Sequence, residues 1–230
     1  MRNYIIFLIL SLYIITVSCS NKSQYRSFTL PEVSKADESE EVFLQKKILI
    51  NEMISASKTL HQISWPILKK NIDICENKRS NSLGILFAVE KDLPKGDSDF
   101  FRLLFNKTIK STYFEKYGVQ SFPVIVSIAK DSPAYEEKLL ENDIILAINK
   151  ESTSNFRKKL KKALLSSSSI NFTLLRNEMI IEKKIQGIKA CNYNVQVIPA
   201  PAPNAYADGE KVYITLAAIK LARTEDELAF

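Results

Sequence analysis

Apolar positions along this 230-residue chain change their spacing several times, and each change marks a different element. After Arg2 the run 4–17 is apolar but for Ser11 and Thr16. It is 14 residues long, short of the ~20 needed to span a bilayer but within the ~7–15 of an export-signal core. The stretch 21–38 is polar with Pro31 and reads as a tether. From 39 to 60, Phe43, Ile50, Ile54 and Leu60 recur at helical spacing, predicting an amphipathic helix. Trp65-Pro66 should interrupt it, because the residue before proline is pushed out of helical φ/ψ. A second helix is then expected from Pro66 toward Cys75, with Ile67, Leu68 and Ile72 apolar.

From residue 82 the pattern becomes strand-like. Residues 82–89 (SLGILFAV) and 122–128 are short, β-rich apolar runs. Between the two, Phe100, Phe101, Leu104, Phe105, Ile109, Tyr113 and Phe114 recur every three to four residues, predicting one greasy helix over 99–117 capped by Ser98 or Asp97. It would cover either a groove or a domain interface. Residues 155–165 (NFRKKLKKALL) place Phe156, Leu160 and Leu164 on one helix face, with Arg157, Lys158, Lys159, Lys161 and Lys162 on the rest as a solvated basic face. Runs 170–175 and 179–185 flank Arg176-Asn177-Glu178 as a hairpin. Another strand is expected at 195–198, followed by the stiff Pro-Ala-Pro-Ala-Pro of 199–203. Asp208-Gly209 between 204–207 and 212–215 signals a two-residue hairpin turn, 216–221 is helical in pattern, and Thr224-Glu225-Asp226-Glu227 matches a capping box.

Composition narrows the function classes. With 46% hydrophobic residues and 25% charged, the chain is that of a globular protein with a sizeable core. Five glycines, with no Gly-x-x-x-x-Gly-Lys and no Gly-x-Gly-x-x-Gly, supply no phosphate-cradling loop. The net charge of +6 is spread among many acidic residues, so no nucleic-acid partner is expected. The single histidine, His61, lacks a partner at ligand spacing and reads as a surface or packed side chain.

Three resemblances add to this reading. Thr16-Val17-Ser18-Cys19 resembles a bacterial lipobox, which implies cleavage after residue 18 and a lipid on Cys19. Thr16 stands where that pattern has Leu, and secretion without a lipid is the alternative. Ser20 resembles the outer-membrane sorting choice, so the resemblance implies an envelope protein on the periplasmic face of the outer membrane. With Cys19 acylated, Cys75 and Cys191 remain in an oxidising compartment; they either form a disulfide or stay as two buried thiols.

Residues 82–187 resemble a bacterial PDZ domain: Leu83-Gly84-Ile85, the strand at 122–128, Ser132-Pro133-Ala134, and Asn142-Asp143-Ile144-Ile145-Leu146-Ala147-Ile148-Asn149 match its text. Three glycines of that pattern are replaced, by Lys138, Asn142 and Lys150. The resemblance implies a peptide groove in which Leu83, Gly84 and Ile85 form the carboxylate loop while Leu160 and Leu164 line the opposite wall.

Residues 204–230 resemble the opening of the HtpX and BepA-like zinc metallopeptidases, in which such a hairpin and short helix lead into Asp-Glu-Leu-Ala and then His-Glu-x-x-His. That motif does not occur in these 230 residues, so zinc is implied for the family while no cofactor, metal ligand or catalytic residue is assigned here. Asn204, Ala205 and Tyr206 would be the edge strand that holds substrate. The expected fold is α+β, in five parts. They are a signal peptide (1–18), a tether (19–38), a helical segment (39–81), a PDZ-like β-barrel or sandwich with helices (82–187, insertion 97–117), and the incomplete start of a zincin-type domain (188–230). The implied function is the N-terminal portion of a lipid-anchored PDZ metallopeptidase acting on unfolded envelope proteins, inactive as a peptidase by itself. The alternative is a non-enzymatic lipoprotein that binds peptides.

Overall fold

The computed structural model describes residues 35–94 and 97–229. The chain divides into units 1–44 and 45–230, and the architecture below is that of the second. Helix α1 (Lys35–Lys70) crosses the division and does not break at Trp65-Pro66. Proline inside a helix costs about 3 kcal/mol, through one lost hydrogen bond and a ring clash. Contacts in the turns before it offset that cost. Gln62 Nε2 donates to Ile128 C=O (2.8 Å) and Ser127 Oγ (3.1 Å), and Gln62 Oε1 accepts from Lys130 N–H (3.0 Å). Leu60, Ile63 and Trp65 are buried. The second helix expected toward Cys75 is reduced to the 3-10 turns Ile72–Ile74 and Glu76–Lys78.

Next come β1 (Arg79–Ser82), β2 (Ile85–Ala88), α2 (Ser98–Phe101), α3 (Ser111–Tyr117), β3 (Val124–Ile128), α4 (Pro133–Glu136), β4 (Ile144–Ile148), β5 (Glu151–Ser152), α5 (Phe156–Ser166), β6 (Ser169–Arg176) and β7 (Met179–Gln186). They build an antiparallel sheet of order β2-β3-β4-β6-β7, with β5 on β4. Strand side chains alternate between faces, and here both faces are covered. Ile125, Ile145 and Leu174 enter one core with Phe87, Phe172 and α5, while their neighbours Val124, Ile144 and Leu175 enter a second core with Phe122, Ile109 and α3. Double covering is why β4 reads as the unbroken apolar run IILAI. The expected barrel or sandwich is an open sheet instead: among the described residues no pairing joins β2 to β7, and β1 pairs separately with β8 (Ile188–Cys191).

The insertion is two helices rather than one. α2 runs into a π-helical turn, Arg102–Asn106, and the buried Asn106 then spends its amide on both backbone groups of Phe122 (2.8 and 3.3 Å). That inward turn ends the first helix. α3 stops at Gly118 (φ +60), where Val119 N–H reaches back to Phe114 C=O. The insertion covers the second core, on the side of the sheet away from α5.

Lys138 (φ 56), Asn142 (φ 70) and Lys150 (φ 68) all adopt left-handed backbone. The turns of the glycine pattern therefore persist without its glycines. Asn177 and Glu178 also have positive φ, making a two-residue turn between Arg176 and Met179, tighter than the expected three-residue loop. Asp143 beside one of these turns is 1% exposed and doubly bonded to Arg176 (2.6 Å twice). The hydrogen bonds that Arg176 donates to the Asp143 carboxylate hold its guanidinium above its ordinary pKa.

The C-terminal part is a second, small sheet: β11 (Lys211–Thr215) lies between β9 (Asn194–Ile198), parallel, and β10 (Ala205–Ala207), antiparallel. Its turn is centred one residue later than Asp208-Gly209. Asp208 N–H donates to Lys211 C=O (3.2 Å), and Asp208 Oδ1 accepts from Glu210 and Lys211 N–H, which keeps that carboxyl below its usual pKa. Helix α6 (Leu216–Leu221) is capped by Thr215 Oγ1, and α7 (Glu225–Ala229) by Thr224 Oγ1 accepting from Glu227 N–H (3.2 Å). Among the described residues no helix is long and apolar enough to cross a membrane.

Candidate functional site

The most distinctive chemistry lies where β1 turns into β2. Gly84 has φ +68, and a Cβ there would sit 2.2 Å from Ser132 Cβ and 3.2 Å from Trp65 Cζ2, so the turn needs glycine for both backbone and space. Leu83 C=O accepts from Ala134 N–H (3.1 Å) and Gly84 C=O from Ala129 N–H (2.9 Å). Each peptide unit is planar and trans, so the N–H of the next residue points opposite to the carbonyl. Both carbonyls are turned into the protein, and the Gly84 and Ile85 amides consequently face the other way.

The β2 edge continues this pattern. The bond from Ala129 to Gly84 makes Ile85 and Ile128 a non-hydrogen-bonded pair, so both backbone polar groups of Ile85 face away from β3. β2 is the terminal strand of its sheet, and this edge is unpaired by any strand among the described residues. Opposite it stands α5. Leu160 and Leu164 are half-buried against the same core as half-buried Ile85 and buried Leu83. Phe156 meets Phe87 edge-on, ring centroids 4.9 Å apart, and sets the floor. Of the five groove residues expected from the sequence, Leu83 lies in this core, Ile85, Leu160 and Leu164 pack against it, and Gly84 turns the chain beside Ser132 and Trp65.

Residues that sequence reasoning did not single out hold α5 at this spacing. At its C-terminal end Asn81 Nδ2 donates to Leu164 C=O (2.9 Å) and Ser167 C=O (3.3 Å). At the other end Arg157 binds Asp92 through two bonds (Nε to Oδ1 3.1 Å, Nη2 to Oδ2 2.6 Å) and also donates from Nη2 to Phe87 C=O (3.3 Å). Lys91 Nζ donates to Asn155 Oδ1 (3.2 Å) beside it. Arg157 belonged to a basic run that read as solvated. Its different role depends on Asp92, 65 residues away in sequence, and no local pattern announces that pairing. Behind the loop, Trp65 is 4% exposed, and its indole Nε1 has no hydrogen-bond partner among the described residues. Glu90, just after β2, is held below its ordinary pKa first by the hydrogen bond from Ser121 and then by that from Ser98, which ties the insertion to this strand.

The remaining expected residues lie elsewhere. Asn204, Ala205 and Tyr206 are exposed on the outer strand of the small sheet, where Tyr206 stacks on Tyr213 (4.8 Å) and Asn204 N–H donates to Thr215 Oγ1 (2.9 Å). Cys75 and Cys191 are joined as a disulfide, Cα to Cα 5.8 Å, fastening the turn after α1 to β8. Cys19 lies outside the described residues. Among those described, no three His, Cys, Asp or Glu side chains gather as metal ligands. His61 is half-buried with Nδ1 3.0 Å from Ser127 Oγ, and loss of solvent around the ring pushes its pKa down to about 4. The described residues do not supply the ligand set that the zinc of the metallopeptidase resemblance needs.

No sequence profile of a known family matches the chain, and no curated protein matches it. Among solved structures, it is similar to the HtrA-type protease AlgW with decapeptide (18% identity, 47% of this chain and 29% of that one, TM-score 0.32). AlgW with tripeptide gives 19% identity, 48% and 32% coverage and a TM-score of 0.33. The HtrA3 PDZ domain bound to a phage-derived ligand gives 21%, 36% and 78%, with a TM-score of 0.29. The chain spans about a third or less of the length of those AlgW chains.

Proposed function

We propose that residues 79–191 form a PDZ-like module that takes the C-terminus of an extended peptide as an added strand along β2. What supports this reading is that the Gly84 and Ile85 amides point away from the carbonyls bound by Ala134 and Ala129, that the edge of Ile85 is unpaired by any strand among the described residues, and that half-buried Leu160 and Leu164 pack on the same core as Ile85. Backbone N–H groups in such a turn attract a carboxylate, and a sheet edge supplies main-chain bonds to the residues before it. The half-buried leucines would receive an apolar terminal side chain. The test is fluorescence anisotropy with a labelled peptide ending in Val-Leu, offered with a free or an amidated C-terminus. The free acid is expected to bind and the amide to lose at least tenfold. Equal binding of the two, or unchanged binding after Leu164→Lys, would refute the carboxylate loop.

The wider setting belongs to the same proposal. The resemblance at 16–19 supports a lipid on Cys19 and a periplasmic module held at the outer membrane, where its peptides would be unfolded envelope proteins. The resemblance at 204–229, together with the exposed edge strand β10 and the capped start of α7, supports a zinc metallopeptidase of which this chain carries the N-terminal part. A peptide-binding lipoprotein without peptidase activity is the other reading. Gene sequence beyond codon 230 separates the two: His-Glu-x-x-His in frame supports the peptidase, and any other continuation supports the binder.

A further inference from the structure

We propose that Arg157 is a latch across the peptide groove, and that it limits β-strand addition to the last two residues of a ligand until it is displaced. The inference rests on the peptide reading above and adds a control that none of the sequence resemblances supplies. Strand bonding groups alternate with period two, so a ligand whose terminal carboxylate meets the Gly84 and Ile85 amides pairs its last residue with Ile85 and reaches Phe87 two residues earlier. The Phe87 carbonyl is the next acceptor on that edge. It is already taken by Arg157 Nη2 at 3.3 Å.

The guanidinium is held there by geometry as well as by charge. It is planar and makes a fork with Asp92, whose Oδ2 also accepts from Val89 N–H (3.0 Å) while Asp92 N–H donates to Val89 C=O (2.9 Å). The acid is therefore fixed by the turn that ends β2, and the base by the first turn of α5. Lys91 bonded to Asn155 closes the same end of the groove a second time. At the opposite end the bond from Asn81 to Leu164 goes to the rear of the wall helix and leaves the Ile85 edge open. One end of the groove is thus free to take a carboxyl terminus, and the other is bridged. The Arg157 and Asp92 side chains are 55% and 40% exposed, so water and salt weaken the pair and a ligand can open it.

The experiment compares two N-acetylated peptides with the same last two residues, a dipeptide and a hexapeptide, on the full chain and on Arg157→Ala, Arg157→Lys and the exposed control Lys162→Ala. With the latch shut, the four extra residues add little, and the two affinities on the parent protein should agree within about threefold. Arg157→Ala frees the Phe87 carbonyl and should tighten the hexapeptide about two- to fivefold relative to the dipeptide, the range set by a surface ion pair of this kind. Arg157→Lys keeps the charge without the fork and should fall between parent and alanine, while Lys162→Ala should match the parent. An unchanged dipeptide-to-hexapeptide ratio in Arg157→Ala overturns the latch and leaves the groove standing. If no free-acid peptide binds any of the four proteins, both fall. Thermal unfolding of each variant checks that the fold is kept.

Discussion

Replacing Lys150 by glycine, and separately Lys138, should stabilise the protein although each removes a side chain. Both residues hold left-handed backbone, φ 68 and 56, where an L-residue's Cβ crowds its own carbonyl at a cost of roughly 1–2 kcal/mol. Glycine does not pay that cost but has more freedom to lose on folding, worth about 0.4–1 kcal/mol in the other direction. Neither ammonium group makes a hydrogen bond or ion pair among the described residues. The Lys138 carbonyl, which accepts from Arg176 Nη2 (3.1 Å), is backbone and survives the change. The net expectation is a gain of about 0.5–1 kcal/mol for each substitution. In a chain of this size each should raise Tm by about 1–4 °C. Asn142→Gly should gain less, because asparagine tolerates left-handed φ far better than lysine. Urea unfolding followed by circular dichroism, with slopes compared to confirm an unchanged transition, reads the effect directly. If both lysine variants are neutral or destabilised while the slope is preserved, the left-handed turns are not strained and the reasoning from the replaced glycines is wrong.

Other outcomes follow from the same structure. Asp143→Ala should cost about 3–5 kcal/mol, because it strands the Arg176 guanidinium in a mostly buried position and removes the acceptor of Leu140 N–H (2.9 Å); urea unfolding should show it plainly. His61 titrates near 4 when folded and near 6.5 when unfolded, so the unfolded chain takes the proton first. Stability should be whole above pH 6.5 and fall by at most about 3 kcal/mol as pH drops toward 4, and His61→Gln should flatten that limb. Reducing the Cys75 to Cys191 bridge, which closes a separation of 116 residues, should lower stability by up to about 4.7 kcal/mol; unfolding with and without reductant, checked by thiol titration, measures it.

Much of the organisation of 82–191 could be read from residue order, because strands and turns leave short-range marks. The run at 122–128 became β3, those at 170–175 and 179–185 became the paired β6 and β7, and Phe156, Leu160 and Leu164 do share the inward face of α5. Even the missing glycines were informative, since a turn that demands positive φ keeps that demand when lysine occupies it. Where local propensity and distant contact disagreed, the distant contact prevailed. Pro66 stayed within a continuous α1 because Ser127, Ile128 and Lys130 hold Gln62, and the greasy helix over 99–117 was cut in two because Asn106 serves Phe122.

The sequence by itself determined the strands at 122–128, 170–175 and 179–185 and the inward face of α5, since those depend on neighbours a few positions away. Only the tertiary structure decided that β2 is left as an edge, that the Leu83 and Gly84 carbonyls are bound by Ala134 and Ala129, and that Arg157 crosses to Phe87 and Asp92. Each of these joins groups tens of residues apart in the chain. Their free energy depends on distance and direction in space, which a linear pattern does not encode.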